Sequence, residues 1–463
     1  MPIPTVSFTD ERLPNGLRLL VAEDHVAPVV AINLWYAVGS KHEAPGKTGF
    51  AHLFEHVMFQ GSRHVAKTEH FALLQAAGGT ANGTTWLDRT NYFETLPSHQ
   101  LELGLWLEAD RMATLLDALS QENLDNQRAV VKNEKRWSYD NQPYGSWIEK
   151  LYGHLYPPDH PYHHPTIGSM ADLDAAALED VRAFFRTWYA PNNAVLSIVG
   201  DVDPVRVRSW VDRYFGPIPP NPGLPRLELP PLPLSLGGEA REVVPDRVPL
   251  PRVYLGFRAP PVPDRRLYAL EIAAQVLAGG KGSRLHRRLV REERIAQDVA
   301  LFVLPFVSGP SIVAGWATVR PESSPGAVEA ALHQELARMT TEPITEDELG
   351  RARALVETEE LAALQRVGER ADRLSMWATL VGDPGEVNRQ LERYLAVTAG
   401  DIRAACADVF AAHNRAVLTY LPVDGAGERG EEAAGEPVPL ADAGEVAVPG
   451  PVVDAGDREE AAG

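Results

Sequence analysis

His52, Glu55 and His56 sit inside one short apolar run, TGFAHLFEHVMFQGS (48–62), among Phe50, Leu53, Phe54, Val57, Met58 and Phe59. An unpaired polar group in such a setting costs roughly 2–7 kcal/mol by transfer estimates, so the trio needs a partner. His52 and His56 are four residues apart. On a helix of about 3.6 residues per turn that spacing puts both on one face, one turn apart, within reach of a single ion. Two neutral imidazoles leave room on tetrahedral zinc for a third ligand and a water. Glu55 borders the same face and can act as a general base without binding the ion. Pro45-Gly46-Lys47-Thr48-Gly49 is a natural helix entry. The pattern HxxEH is the reverse of the HExxH metalloprotease signature. On these residues alone, histidines hydrogen-bonded within a core are the plainer alternative.

A later stretch, NLDNQRAVVKNEKRWSYDNQPYG (123–145), offers the third ligand. Its helical pattern turns Leu124, Ala129 and Val130 inward, and Glu134 follows Val130 by one turn. Beside Lys135, Glu134 could equally be a surface charge.

The elements that must position these groups read as layers of α+β type. LRLLVAED (17–24) and VVAINLWYAV (29–38) are predicted as adjacent strands with a turn near His25–Pro28; TNYFETLP (90–97) and AVLSIVG (194–200) are two more. Hairpin-like neighbours with separate helices imply antiparallel sheets covered by helices, not a doubly wound parallel sheet. DVRAFFRTWYAPNNAVLSIVGDV (180–202) aligns with DIRAACADVFAAHNRAVLTYLPV (401–423), and HLFEHVMFQG (52–61) falls on EIAAQVLAGG (271–280). The chain is therefore expected to be two homologous halves, with the second copy lacking the histidines. The expected division is a zinc-binding catalytic half over 1–215, a proline-rich linker over 216–240, a second half over 241–422 and an acidic, disordered tail over 423–463.

Composition narrows the function classes. The net charge of −19 lacks the clustered Lys and Arg that nucleic acid or an anionic membrane would require. Eleven acids against Arg429 and Arg458 put nearly half of that charge in the tail. The single cysteine, Cys406, excludes an intramolecular disulfide and reads as a small buried thiol. No secretory leader and no apolar run of membrane-spanning length is present, so a cytoplasmic chain is expected. LAGGKGSRL (277–285) misses the Walker spacing, and His160, His163 and His164 between prolines read as a rigid loop.

Taken together, HxxEH, the ERxVVxxE-like helix, GGTANGTTWLDRTNYF (78–93), NQPYG (141–145), HPYHHPTIGS (160–169), YAPNNAVLSIVGDVD (189–203) and GGKGSRLHRRLVREERIAQ (279–297) are similar to one family. That family is the inverzincin zinc metallopeptidases, the pitrilysin, insulin-degrading enzyme and mitochondrial processing peptidase type, and the resemblance spans about residues 8–422. It implies a processing-peptidase-like fold with one Zn2+ per chain held by His52, His56 and Glu134. It also implies Glu55 as the base for the water that attacks a peptide carbonyl. Ala81, Asn82, Gly83 and Thr84 would form the edge strand that receives the substrate. Asn82-Gly83-Thr84 is also a glycosylation sequon, set aside here.

Several residues depart from the family pattern. Glycine replaces the usual alanine at Gly83. Gln127 stands where the family has a supporting glutamate seven before the zinc glutamate. In the second half, the places of an arginine and a tyrosine that hold substrate fall on Val290 and Gln297. Losing an oxyanion donor typically costs about 10²–10³ in rate. The reading is a zinc-dependent endopeptidase of peptides or unfolded polypeptides, acting as the zinc-bearing subunit of a heterodimer whose homologous partner, without zinc, supplies the Arg–Tyr pair. Its rivals are a homodimer in which Arg284, Arg291 or Arg294 substitutes, a non-catalytic core or assembly subunit, and a processing peptidase dedicated to one precursor.

Overall fold

The computed structural model of the chain describes residues 4–423, so the expected acidic tail lies, from Asp424 onward, outside the described residues. Stretches rich in β-branched and aromatic residues form eleven strands in two sheets among the described residues. The first sheet holds β1 (Thr9–Arg12), β2 (Arg18–Glu23), β3 (Val29–Tyr36), β4 (Thr80–Thr85), β5 (Thr90–Pro97) and β6 (Ala194–Gly200), in the spatial order β1-β2-β6-β3-β5-β4. In the second, β7 (Ala240–Asp246), β8 (Arg252–Ala259), β9 (Ala296–Leu304), β10 (Ser311–Val319) and β11 (Ala416–Pro422) follow the order β7-β11-β8-β10-β9.

Without β1 the two orders are the same permutation, as a duplicated α+β chain requires. Both sheets are mixed. β2 with β6 and β7 with β11 run parallel, while every other pair is antiparallel. The purely antiparallel expectation fails because the last strand of each half returns through a helix, a connection long enough to allow parallel pairing. β2 and β3 are likewise not neighbours. All seven residues of β6 are buried, so this strand has two faces to cover and takes the place between them.

Seven helices matter for the site: α1 (Phe50–Val57), α2 (Leu101–Ala118), α3 (Gln121–Lys135), α4 (Trp147–Leu155), α5 (Arg266–Ala278), α6 (Glu346–Gln365) and α7 (Val367–Leu380). One face of the first sheet packs on α1, α2 and α3, with Ile32, Leu34 and Tyr36 of β3 meeting a core that includes Phe54, Leu105 and Val131. The second sheet packs in the same way on α5 and α6. The opposite faces are covered by exchange. α7, from the second half, sets Ala371, Leu374 and Ala378 against Leu20, Ala31 and Val199 of the first sheet. α4, from the first half, sets Leu151 and Leu155 against Tyr254, Ile312 and Leu418 of the second. Residues 216–239, between the last helix of the first half and β7, contain neither helix nor strand. Cys406 is buried, and burial pushes its thiol up to about 12. No described helix is long and apolar enough to cross a membrane.

Because each sheet borrows a helix from the other half, neither half has its core closed alone. Thermal unfolding followed by far-ultraviolet circular dichroism and by tryptophan fluorescence is expected to give one coincident transition; two separated midpoints would contradict this packing.

Candidate metal centre

α1 divides its residues between two environments. Phe50, Leu53, Phe54 and Val57 recur at helical spacing and enter the core, leaving His52, Glu55 and His56 together on the other side. The helix starts at Gly49, whose φ of 90° is the left-handed conformation that glycine adopts without strain. The Glu43 carboxylate accepts from the free N–H groups of Gly49 at 3.0 Å and Ala51 at 2.7 Å.

α3 packs against α1 and delivers Glu134. Ser120 caps α3, its hydroxyl accepting from Asn123 N–H at 3.2 Å. The inward row is Leu124, Gln127 and Val131, with Ala129 and Val130 exposed. The expected face was thus out of phase, except at Leu124. The true stripe runs i, i+3, i+7, and one further step of three reaches Glu134. Gln127 is buried on that stripe, two turns before Glu134.

The three groups converge. His52 Nε2 lies 3.5 Å from Glu134 Oε1, and His56 Nε2 lies 3.3 Å from Glu134 Oε2. The two rings are perpendicular, with centroids 4.9 Å apart. One donor atom from each residue lies within 4.8 Å of the other two. Bonds of ~2.0–2.1 Å at tetrahedral angles imply donor separations of about 3.3 Å, so the two imidazole–carboxylate distances match the edges around one small ion. Burial pushes the His52 imidazole below its ordinary value, towards the neutral form that can donate a lone pair. Burial raises Glu134, but the bond from His56 and the charge of both imidazoles outweigh it and hold the carboxyl low. One neutral nitrogen and one carboxylate are the donor states that zinc takes. His52, His56 and Glu134 therefore fit a divalent ion.

A second group, His70, Glu94 and Glu108, also brings its donor atoms within 4.8 Å, and all three residues are buried. Here the cation is already present: Arg111 donates to both oxygens of Glu108, and its guanidinium stacks over Tyr92 at 4.3 Å and Phe59 at 4.9 Å. Burial raises both carboxyls to about 7 and lowers His70 to about 3. One guanidinium with two reluctant carboxylates is a packing device within the core, not a second metal site. Among the described residues, no metal-capable group includes His160, His163 or His164.

His52, Glu55 and Glu134 open onto a cavity of about 1520 Å³ between the halves. Ala81, Asn82, Gly83 and Thr84 lie in β4, at the edge of the first sheet. A Cβ built on Gly83 would stand 3.1 Å from Glu55 Cγ and 3.1 Å from the Tyr92 ring, so this strand passes close beside the Glu55 side chain. Sequence reasoning missed Thr85, whose hydroxyl donates to Glu55 Oε2 at 2.5 Å, because no spacing rule singles it out. It also missed Arg252 and Tyr254 on the cavity wall; Arg252 lies over the Tyr144 ring at 3.8 Å and donates to Thr318 and Tyr254. Val290 and Gln297 are not on that wall. Nor are Arg284, tied to Glu348 at 2.7 Å, or the exposed Arg291 and Arg294.

Residues 18–156 match the family described as Insulinase (Peptidase family M16), and residues 175–356 match Peptidase M16 inactive domain. The zinc protease PqqE of Helicobacter pylori is 30% identical over 320 residues, covering 65% of this chain and 70% of its own. An uncharacterized zinc protease of Streptomyces coelicolor is 25% identical over 411 residues, 86% of each chain. The crystal structure of a protease from Helicobacter pylori superposes with a TM-score of 0.84 at 25% identity, over 90% of this chain and 100% of that one. The first half of the periplasmic protease PqqL from Escherichia coli gives 0.73 at 18% identity, over 90% and 93%.

One outcome is expected. Glu94 has a folded value near 7 against 4.5 for the free group, so its contribution is full below pH 4.5 and disappears as pH rises through 7. Glu94→Gln should therefore gain in Tm relative to the native chain between pH 5 and pH 8, by about 2–4 °C for each ~1 kcal/mol; a constant difference across that range would contradict the assignment.

Proposed function

The chain belongs to the insulinase family of peptidases, M16, and from that membership we propose that it is a zinc-dependent endopeptidase of peptides or unfolded polypeptides. The observation that carries the reading is the convergence of His52, His56 and Glu134, with Glu55 on the same helical face and one donor atom from each of the three within 4.8 Å of the others. Zinc, when bound, polarises the scissile carbonyl and makes water acidic enough to attack near neutral pH.

The protein's own residues supply the rest. His52 and His56 hold the ion from α1, and Glu134 from α3. Glu55 takes the proton of the attacking water, then hands it to the leaving amine as the carbon–nitrogen bond breaks. Thr85 fixes one Glu55 oxygen and leaves the other for that proton. An extended substrate adds to the free edge of β4 through main-chain hydrogen bonds along Ala81–Thr84, with the side chains alternating about the strand. Pairing of this kind favours chains without tertiary structure, as does a cavity closed by both halves.

The partner is a homologous subunit without the zinc motif, supplying arginine and tyrosine donors for the developing oxyanion. Support comes from Val290 and Gln297, which carry no such donor, and from Arg284, Arg291 and Arg294, none of which lines the cavity. The Arg252–Tyr254 couple does line it, with Arg252 Nε donating to Thr318 and one terminal nitrogen to the Tyr254 hydroxyl. A non-catalytic assembly role is disfavoured because the inactive-domain match falls on residues 175–356, outside HxxEH and Glu134.

Metal analysis and hydrolysis of an unstructured peptide test the reading together, with and without copurifying partners. One zinc per chain is expected in the native protein and in Glu55→Gln, with hydrolysis reduced by about 10²–10⁴ in the variant alone. Glu134→Ala should lose zinc by more than the ~10–100-fold that an outer supporting contact costs. Equal hydrolysis by Glu55→Gln removes Glu55 as the base, and full activity of the chain by itself removes the partner.

A further inference from the structure

The turn joining β4 to β5 is gripped from the second half on two sides. On one side the buried Asp88 carboxylate accepts from Lys41 Nζ at 2.8 Å, from the Tyr162 hydroxyl at 2.5 Å and from the backbone N–H of Val307, in the loop between β9 and β10, at 3.1 Å. On the other side stands Asp372 of α7. Its Oδ1 accepts from Trp35 Nε1 at 2.9 Å, Asn33 Nδ2 at 3.0 Å and Asn91 Nδ2 at 3.1 Å, three donors of the first sheet converging on one oxygen. Asn33 and Trp35 occupy the positions of β3 that alternate with Ile32, Leu34 and Tyr36, and so face α7.

From Asp372 the bonds run on to the substrate strand. Asn91 Oδ1 accepts from the Thr84 hydroxyl at 2.5 Å and from Arg89 at 2.8 Å. Arg89 also donates to the Thr84 carbonyl at 2.9 Å, and its guanidinium lies over the Trp35 ring at 5.0 Å. The next residue, Thr85, holds Glu55. A carboxylate receiving three donors makes charge-assisted bonds, and its removal would leave the Trp35 indole and the Asn33 amide without that acceptor, Asn91 keeping its bond to Asn33 Oδ1 at 3.1 Å.

We propose that Asp372 is a positioning residue for the reaction: through Asn91, Arg89 and Trp35 it fixes the register of β4, and through Thr85 the carboxylate of Glu55. The half of the chain without HxxEH would then set the geometry of the half that carries it. This inference rests on the peptidase reading for its consequence, although the grip on β4 can be measured without catalysis.

The test compares Asp372→Ala, Asp372→Asn and Arg370→Ala. Arg370, on the same helix, pairs with Asp24 and touches neither β4 nor β5. Two readouts are taken: kcat and KM on a quenched-fluorescent unstructured peptide, and amide hydrogen exchange over residues 80–91. For Asp372→Ala, kcat/KM should fall about tenfold to a hundredfold, mainly through KM, as small displacements of binding groups do. Exchange over 80–85 should accelerate while zinc content is unchanged. Asp372→Asn, which keeps an acceptor oxygen, should recover part of both losses, and it carries the test if the alanine variant does not fold. Arg370→Ala should leave both readouts at native values. Unchanged KM and exchange in the Asp372 variants, or equal losses in Arg370→Ala, overturn the proposal. If the native chain hydrolyses nothing even together with its copurifying partner, faster exchange in Asp372→Ala keeps the positioning role and removes only the peptidase reading, whereas unchanged exchange removes the positioning role.

Discussion

Three donor atoms from two helices must meet within the span of one small ion while the backbones carrying them stay in an apolar core. That requirement shapes the first half of the molecule. α1 is only two turns long, and it buries His52 and Glu55 along with its apolar residues while His56 stays half-buried. Its N-terminus is held by the carboxylate of Glu43, and its flank by α3, which presents Glu134 from a continuous buried stripe. Since desolvation favours neutral imidazole, folding itself moves His52 towards the neutral form. A longer or looser helix would spend binding energy on ordering.

Duplication explains the scaffold and asymmetry explains the chemistry. The two sheets share one strand permutation, and the helices exchanged between them, α4 and α7, occupy equivalent places in the repeat. Yet α5, where α1 would be repeated, carries Ala274 and Gln275 at the places of Glu55 and His56, and Glu271 at that of His52. Freed from ligating, the second copy contributes structure: α7 closes the far face of the first sheet, and the loop after β9 reaches Asp88. The match described as an inactive domain spans residues 175–356 and includes none of His52, Glu55, His56 and Glu134. It says nothing against a structural contribution to the site.

Much of this was legible in the sequence because it is local. TNYFETLP and AVLSIVG are strands with the expected ends, and the helix–turn–strand alignment near residues 180 and 401 is repeated in the coordinates. His52, His56 and Glu134 were identified by helical spacing and resemblance, and the structure brings them together. What periodicity could not give is pairing. β6 enters between β2 and β3 because of its two apolar faces, a tertiary choice made long after the turn at His25–Pro28 is written. The phase of α3 was misread since Ala129 and Val130 look apolar, while the stripe that packs includes the polar Gln127. Thr85 and Arg89 fall within GGTANGTTWLDRTNYF without a role being assigned to either, and Asp372 lies outside every quoted motif. Their importance comes from hydrogen bonds across the fold, and a threonine, an arginine and an aspartate in such places are ordinary surface residues to any sequence rule.

The free edge of β4 has a consequence for the protein as a colloid. An unpaired strand edge is a template for association with any other extended chain, and exposed edges are a common route to aggregates. Thr84 and Thr85 open onto an interior wall bounded by both halves, so a second folded copy cannot lay its own sheet alongside. That enclosure thus shields the edge from pairing with another folded copy. Widening the mouth between the halves to admit bulkier guests would be expected to cost solubility before it cost folding.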